Sequence, residues 1–263
     1  YGFPVDLTKD ILSEKGLTVD EEEFDRLMKE QRERARAARK DAGADAWKAE
    51  AGAAEQLPAT RFTGYESLEG AAKVLAILKA GAPADSLAEG EEGVLVLDET
   101  PFYAESGGQA GDAGAVENGD GLFLVGQTSK TAGGVFLHSG VMQKGLLCTG
   151  DTVTAKVDRI GRAATMRNHT AAHLLQAALR RVLGEHGEQA GQLVTSSRMR
   201  FDFTHFSAQT GDELRKVEGL VNLWIMEGLQ TMVREMPIEE ARKLGAMALF
   251  GEKYGDIVRV VSV

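Results

Sequence analysis

The sequence predicts an α+β protein with three successive parts: a helical N-terminal segment, a small barrel or sandwich of short strands, and a mixed core of helices and strands. Three observations carry this. Residues 1–58 are charged and Ala-rich, with a single short apolar patch at Phe24, Leu27 and Met28. Residues 59–157 hold short apolar runs separated by glycine turns, such as Gly107-Gly108 and Gly133-Gly134. Residues 158–263 alternate long helical patterns with extended runs.

In the first part, Thr18 or Asp20 is placed to cap a helix running from Glu21 toward Lys40. Its second half, Gln31 to Lys40, lacks apolar periodicity and reads as a solvated face. Asp41 to Gln56, rich in Ala and Gly, reads as a linker. In the second part, strands are expected at Arg61–Tyr65, Val94–Leu97, Leu122–Val125, Val135–Leu137 and Thr152–Val157, with one helix near Leu68 to Lys79. In the third, Arg159 to Leu183 reads as a long helix and Gln192 to Phe203 as extended chain. A second helix is expected over Thr210 to Arg234, a short one over Ile238 to Leu244, and a strand at Ile257–Val263 that is still apolar where it stops.

Composition sets limits on function. The 263 residues carry 30 basic and 40 acidic side chains, a net charge of −10, which argues against wrapping nucleic acid by bulk charge but leaves room for a local basic site. No apolar run reaches membrane-spanning length. The lone Cys148 excludes an intramolecular disulfide framework and fits a reducing compartment. With Tyr1 first and no basic-then-apolar leader, the expectation is a cytoplasmic protein fragment.

The sharpest chemical feature is Asn168-His169-Thr170-Ala171-Ala172-His173. Histidines at i and i+4 lie one helical turn apart, so both rings can reach one metal ion. On a helical wheel they fall opposite a stripe of Ile160, Ala164, Ala171, Leu175, Ala178 and Val182. No Glu follows His169, so the His-Glu-x-x-His protease pattern is absent. Tetrahedral zinc needs further ligands, and Cys148, His138, His186 and His205 are not paired at short spacing with another ligand. A second feature, Thr100 to Gln109, reads as a turn whose Gly107 and Gly108 admit close approach of another backbone or a nucleotide. A third, Arg200-Phe201-Asp202-Phe203, reads as a strand with two aromatic rings on one face and an ion pair on the other.

Together these stretches resemble the alanyl-tRNA synthetase family. The matches are Tyr1-Gly2-Phe3-Pro4-Val5-Asp6-Leu7-Thr8, Phe102 to Gln109, Asn168 to Leu175, Arg200 to Phe203, and Gly245 to Tyr254, in the family's order. The resemblance implies the helical end of the tRNA-recognition region and linker over 1–58, a β-barrel domain over 59–157, and an editing core over 158–263 that is cut short. It implies hydrolysis of tRNA(Ala) mischarged with serine or glycine, with no membrane or DNA partner. His169 and His173 match two zinc ligands, and the remaining Cys and His would lie beyond Val263. The resemblance makes Gln189, Ala172, Arg200 and Asp202 the expected catalytic residues: Gln189 matches an editing-site glutamine, Ala172 stands where threonine is frequent, and Arg200 and Asp202 belong to a matched editing-core stretch. Gly107, Gly108, Gln109 and Lys253 are the expected substrate-binding residues, with Lys253 at the RNA end. ATP and Mg2+ belong to the adenylate-forming domain, expected before Tyr1, so this chain is not expected to activate alanine. A tRNA-binding fragment with an incomplete, inactive zinc site is the alternative, and a regulatory domain using the acidic surface is a third reading.

Overall fold

The computed structural model describes residues 12, 16–20, 23–31, 52, 54–187, 189–244 and 255–262. The chain divides into two units, residues 1–50 and 51–263. In the first, residues 23–31 are helical. Of the two candidate caps it is Asp20 that acts: its Oδ1 accepts from the Glu23 amide at 3.0 Å, satisfying an N-terminal donor that has no partner within the helix. The rest of the expected first helix, most of the Ala-Gly stretch, and the matched segments Tyr1–Thr8 and Gly245–Tyr254, including Lys253, lie outside the described residues.

The second unit begins with ten strands. They are β1 (Arg61–Phe62), β2 (Glu69–Lys79), β3 (Ala82–Ala84), β4 (Ser86–Ala88), β5 (Glu92–Leu97), β6 (Glu99–Thr100), β7 (Gly114–Glu117), β8 (Gly121–Lys130), β9 (Phe136–Cys148) and β10 (Thr152–Val157). Six of them run β2-β5-β9-β8-β7-β10, and antiparallel pairing of β10 with β2 closes the ring. Closure removes the unpaired edges an open sheet would expose. β10 shows the expected alternation, with Val153, Ala155 and Val157 buried inside and Thr152, Thr154 and Lys156 outside. The interior is filled by these with Val74, Ile77, Leu95, Leu97, Val116, Phe123 and Met142. β5 is apolar on both faces for a reason. Leu95 and Leu97 point into the barrel, while Val94 and Val96 pack outside with Ala54, Leu78, Val135 and Leu137.

The helix expected near Leu68 to Lys79 is instead β2, an eleven-residue strand that pairs with β10 on one side and β5 on the other. Its alanines are the strongest helix formers, but propensity amounts to under about 1 kcal/mol per residue, and pairing with β10 and β5 plus burial of Val74, Ile77 and Leu78 outweighs it. An irregularity in register between Val74 and Ala76 breaks its alternation, which hid the strand in the sequence.

The chain continues through α1 (Arg159–Leu183), β11 (Gln189–Val194), β12 (Met199–Phe203), α2 (Gly211–Glu227), β13 (Met232–Pro237), α3 (Ile238–Lys243) and β14 (Ile257–Ser262). β11 with β12, and β13 with β14, form separate antiparallel pairs. Thr210 and Glu213 form a reciprocal capping box at the start of α2. The helix expected to reach Arg234 stops at Glu227, because Gly228 takes the left-handed conformation and the following residues turn into β13. The apolar stripe expected along α1 holds only in its second half. There Leu175, Ala178, Leu179 and Val182 pack with Val217, Val221 and Trp224 of α2 and with Phe201 and Phe203 of β12. Ile160 is 81% exposed, and the first half buries Arg162, Thr165 and Ala172 instead. One wheel fails because α1 changes partners along its length: the barrel first, α2 and β12 afterwards.

Candidate functional site

α1 starts where the barrel ends. Asp158 caps it, accepting from the Ile160 amide at 3.0 Å. One turn in, Arg162 enters the barrel wall, where its Nε donates to Asp112 Oδ1 and Oδ2 at 3.0 and 2.9 Å. Its Nη1 donates to the Gly64 carbonyl and its Nη2 to the Pro101 carbonyl, each at 2.9 Å. Asp112 also accepts from the Tyr103 amide at 2.7 Å. Arg162 and Asp112 are both buried, so this charged joint is desolvated and fully bonded, which is what makes a buried ion pair tolerable. No sequence pattern marks it: the partners stand 50 residues apart.

Two turns further along α1, His169 and His173 stack with ring centroids 5.1 Å apart and planes 12° from parallel. Burial lowers the pKa of both below the usual histidine value, and the neighbouring His173 lowers that of His169 further. Burial thus favours the neutral form of both rings, the form that ligates a metal. The Gln109 Oε1 lies 2.6 Å from His169 Nδ1. Gln109 arrives there through Gly107 and Gly108, whose φ angles are 59° and 76°. The loop lies directly against β11: the Val194 amide donates to the Gly108 carbonyl at 2.7 Å, and Gln192 Nε2 donates to the Gly107 carbonyl at 2.5 Å. The Gly-Gly pair thus serves close approach of another backbone.

His169, His173 and Gln109 line one cleft of about 660 Å³. Its walls are the 64–68 turn and Tyr103 of the barrel, Arg159 to His173 of α1, and Thr231, Val233, Arg259 and Val261 of the β13–β14 region. The Arg259 guanidinium lies 4.4 Å over the Tyr65 ring. With Arg162 neutralised by Asp112, the lining keeps Arg159 and Arg259 against one acid, Glu66, a small local positive excess in an acidic protein.

The other expected site residues are dispersed. Ala172 is 1% exposed and is not part of the cleft wall. Gln189 opens β11 opposite Phe203. Arg200 and Asp202 pair with each other on the outer face of β12, Nε to Oδ2 at 3.1 Å, while Phe201 and Phe203 turn to the core as the alternation predicts. His186 and His205, unpaired by sequence spacing, meet in space with Nε2 and Nδ1 2.9 Å apart. His138 is fully buried in the barrel, its ring bonded to the Leu95 carbonyl at 2.9 Å and to Thr100 Oγ1 at 2.8 Å.

For zinc, the residues present fit half a site. Two imidazoles one turn apart suit it, and Gln109 is a second-sphere partner of the kind that ligating histidines have. Among the described residues no cluster of three or more His, Cys, Asp or Glu is placed to hold a metal.

Residues 1–160 match the model of the family described as tRNA synthetases class II (A). Over 263 residues the chain is 52% identical to an alanine–tRNA ligase of Pseudomonas fluorescens and 49% identical to that of Methylobacillus flagellatus, covering all of this chain and 29% of each relative. It is 47% identical to the alanine–tRNA ligase of Geobacillus thermodenitrificans, of which it covers 30%. The chain therefore spans less than a third of the length of these relatives. Among the described residues no helix is long and apolar enough to cross a membrane.

Proposed function

The chain belongs to the family of class II (A) tRNA synthetases, and from that premise we propose that it is the editing part of an alanine–tRNA ligase. Its reaction is hydrolysis of the 3′-terminal ester of tRNA(Ala) wrongly charged with serine or glycine, in the cytoplasm. The need follows from selectivity. A pocket that admits alanine admits the smaller glycine, and one added hydroxyl is rejected by only about 10²-fold in an apolar pocket. A second, hydrolytic sieve corrects the remainder.

The observation that carries this reading is the pair of imidazoles of His169 and His173, 5.1 Å apart on one cleft beside Arg159 and Arg259. These two side chains supply zinc ligands, with the others coming from outside the described residues. Zinc held by these residues would supply Lewis acidity toward a water or the ester carbonyl, or would fix the substrate. Arg159 and Arg259 meet the phosphates of the RNA end, and the 64–68 turn with Tyr103 walls the cleft against bulk water. Gln109 holds His169 in place.

A second reading is favoured by the absence of a third ligand among the described residues: a tRNA-binding fragment whose zinc site is incomplete and inactive. Binding of tRNA(Ala) measured beside hydrolysis of seryl-tRNA(Ala) separates the two. An editing hydrolase does both, whereas a binding fragment retains the RNA and leaves the ester intact.

A further inference from the structure

Tyr65 is a large aromatic side chain that stays 65% exposed although its surroundings fix it in place. Its turn is pinned to the barrel: the Thr63 amide donates to the Thr100 carbonyl at 2.8 Å, and the Glu66 and Ser67 amides donate to the Thr63 carbonyl at 3.0 and 3.2 Å. Gly64 lies so close to Pro101 that an added Cβ would sit 2.2 Å from its carbonyl oxygen. The Tyr65 ring meets Phe62 edge-to-face, centroids 5.0 Å apart, and Phe62 stacks at 5.8 Å on the buried Phe136. Over the ring lies the guanidinium of Arg259 from β14, 4.4 Å from the centroid. Both residues line the cleft that carries the small positive excess. A fixed, exposed ring beside a mobile cation has the two parts that hold a nucleotide: a surface for the base and a charge for the phosphate.

We infer that Tyr65 and Arg259 form a subsite for one unpaired nucleotide of the RNA end, in which the base takes the guanidinium's place on the tyrosine ring and the released guanidinium pairs with that nucleotide's phosphate. This rests on the reading of the cleft as the place where the end of a charged tRNA is met. Relative strengths set the direction of the exchange. A cation over an exposed ring is held weakly, because water screens the attraction. A base covers more of the ring than a guanidinium does, and its stacking is stronger. The guanidinium gains by leaving, since a phosphate is fully charged and accepts two of its in-plane N–H groups at once. Arg259 is exposed, so its side chain is free to make that move. Stacking tolerates any base, so this subsite positions the end of the RNA rather than reading its sequence.

The test uses the 263-residue chain and an uncharged hairpin RNA with a single-stranded 3′ tail, carrying the fluorescent base 2-aminopurine in turn at each unpaired position. Stacking on an aromatic ring quenches 2-aminopurine, and a dye in the hairpin loop reports binding by anisotropy. Strong quenching at one position is expected when the RNA binds. Tyr65→Phe keeps both quenching and affinity. Tyr65→Leu, which stays apolar but has no ring face, loses the quenching and weakens binding about 5–150-fold. Arg259→Gln keeps the quenching, weakens binding and lowers the slope of log affinity against log salt by about one. Circular dichroism confirms that each variant is folded, as substitution at exposed side chains allows. Binding without quenching at any position overturns the inference, and so does a lack of RNA binding. Loss of quenching in Arg259→Gln also overturns it, because the guanidinium would then be the stacking surface. A Tyr65→Leu chain that exchanges amide hydrogens faster in β13 and β14 but binds and quenches as before shows a ring that only tethers β14, which is a third refutation. Hydrolysis of seryl-tRNA(Ala) by the unsubstituted chain is measured separately. Quenching without hydrolysis refutes the editing reading alone, and hydrolysis without quenching refutes this inference alone.

Discussion

Replacing Arg162 with methionine removes the only guanidinium in the joint between α1 and the barrel while keeping much of the side chain's length. The Asp112 carboxylate, buried with 4% of its side chain exposed, then keeps the Tyr103 amide at 2.7 Å as a donor to its oxygens. Removing one partner of a buried ion pair costs about 3–5 kcal/mol, most of it the stranded charge. The carbonyls of Gly64 and Pro101 lose a donor at the same time, which adds to the loss. The double variant Arg162→Met/Asp112→Leu removes the charge and leaves mainly unpaired backbone groups, so its cost should fall to about 1–3 kcal/mol. Urea unfolding in a Trp47→Phe background, followed by fluorescence of Trp224, which packs from α2 into the cluster it shares with α1, reads both. With a slope of about 3 kcal/mol/M, the single variant should lower the midpoint by about 1–2 M. A loss under about 1 kcal/mol in Arg162→Met, or a double variant no more stable than the single one, refutes the assignment of this pair as the structural joint.

Gly108→Ala should detach the loop from β11. A Cβ there would sit 2.6 Å from both Cγ and the carbonyl oxygen of Gln192 at a φ of +76°, and the strain costs about 1–3 kcal/mol. Faster hydrogen exchange at the Val194 amide checks it, and unchanged protection counts against the close approach. His138 should make stability depend on pH. Burial pushes its pKa down to about 4, partly opposed by the Leu95 hydrogen bond. The folded pKa lies below the unfolded value, so this contribution is fully present above about pH 6.5. It declines as pH falls toward 4, by an amount on the order of 3 kcal/mol. Its ring nitrogens should remain those of a neutral imidazole at pH 5, and a protonated ring at that pH would contradict the burial.

Periodicity was most informative where one face of an element meets one partner. Thr152–Val157 coincides with β10 because its alternation faces a single interior. Of the thirteen-residue β9 only its start, Phe136–Leu137, was legible within the expected strand Val135–Leu137, since Gly140, Lys144 and Gly145 interrupt its apolar run while β5, β8 and β4 hold the rest by backbone pairing. β2 was hidden by alanines and a register irregularity. In the candidate site, the one-turn spacing of His169 and His173 was visible because a helix fixes it locally. The contacts that place them were not: Gln109 lies 60 residues from His169, and Asp112 lies 50 from Arg162. Such pairs exist only once the barrel has closed. The positive excess of the cleft was likewise masked by a net charge of −10, because Arg159 and Arg259 converge from elements 100 positions apart, about the length of a small domain.

The editing reading meets its most direct test when the chain is grafted into one of its longer relatives in place of the matched residues. Zinc content and hydrolysis of seryl-tRNA(Ala) are measured together, with correctly charged alanyl-tRNA(Ala) as control. The account predicts that the graft holds zinc and releases serine while sparing alanine, and that His169→Ala and His173→Ala each lower zinc content and bring serine release to the spontaneous rate. Serine release that persists in both variants, or a zinc-loaded graft that leaves seryl-tRNA(Ala) intact, contradicts it.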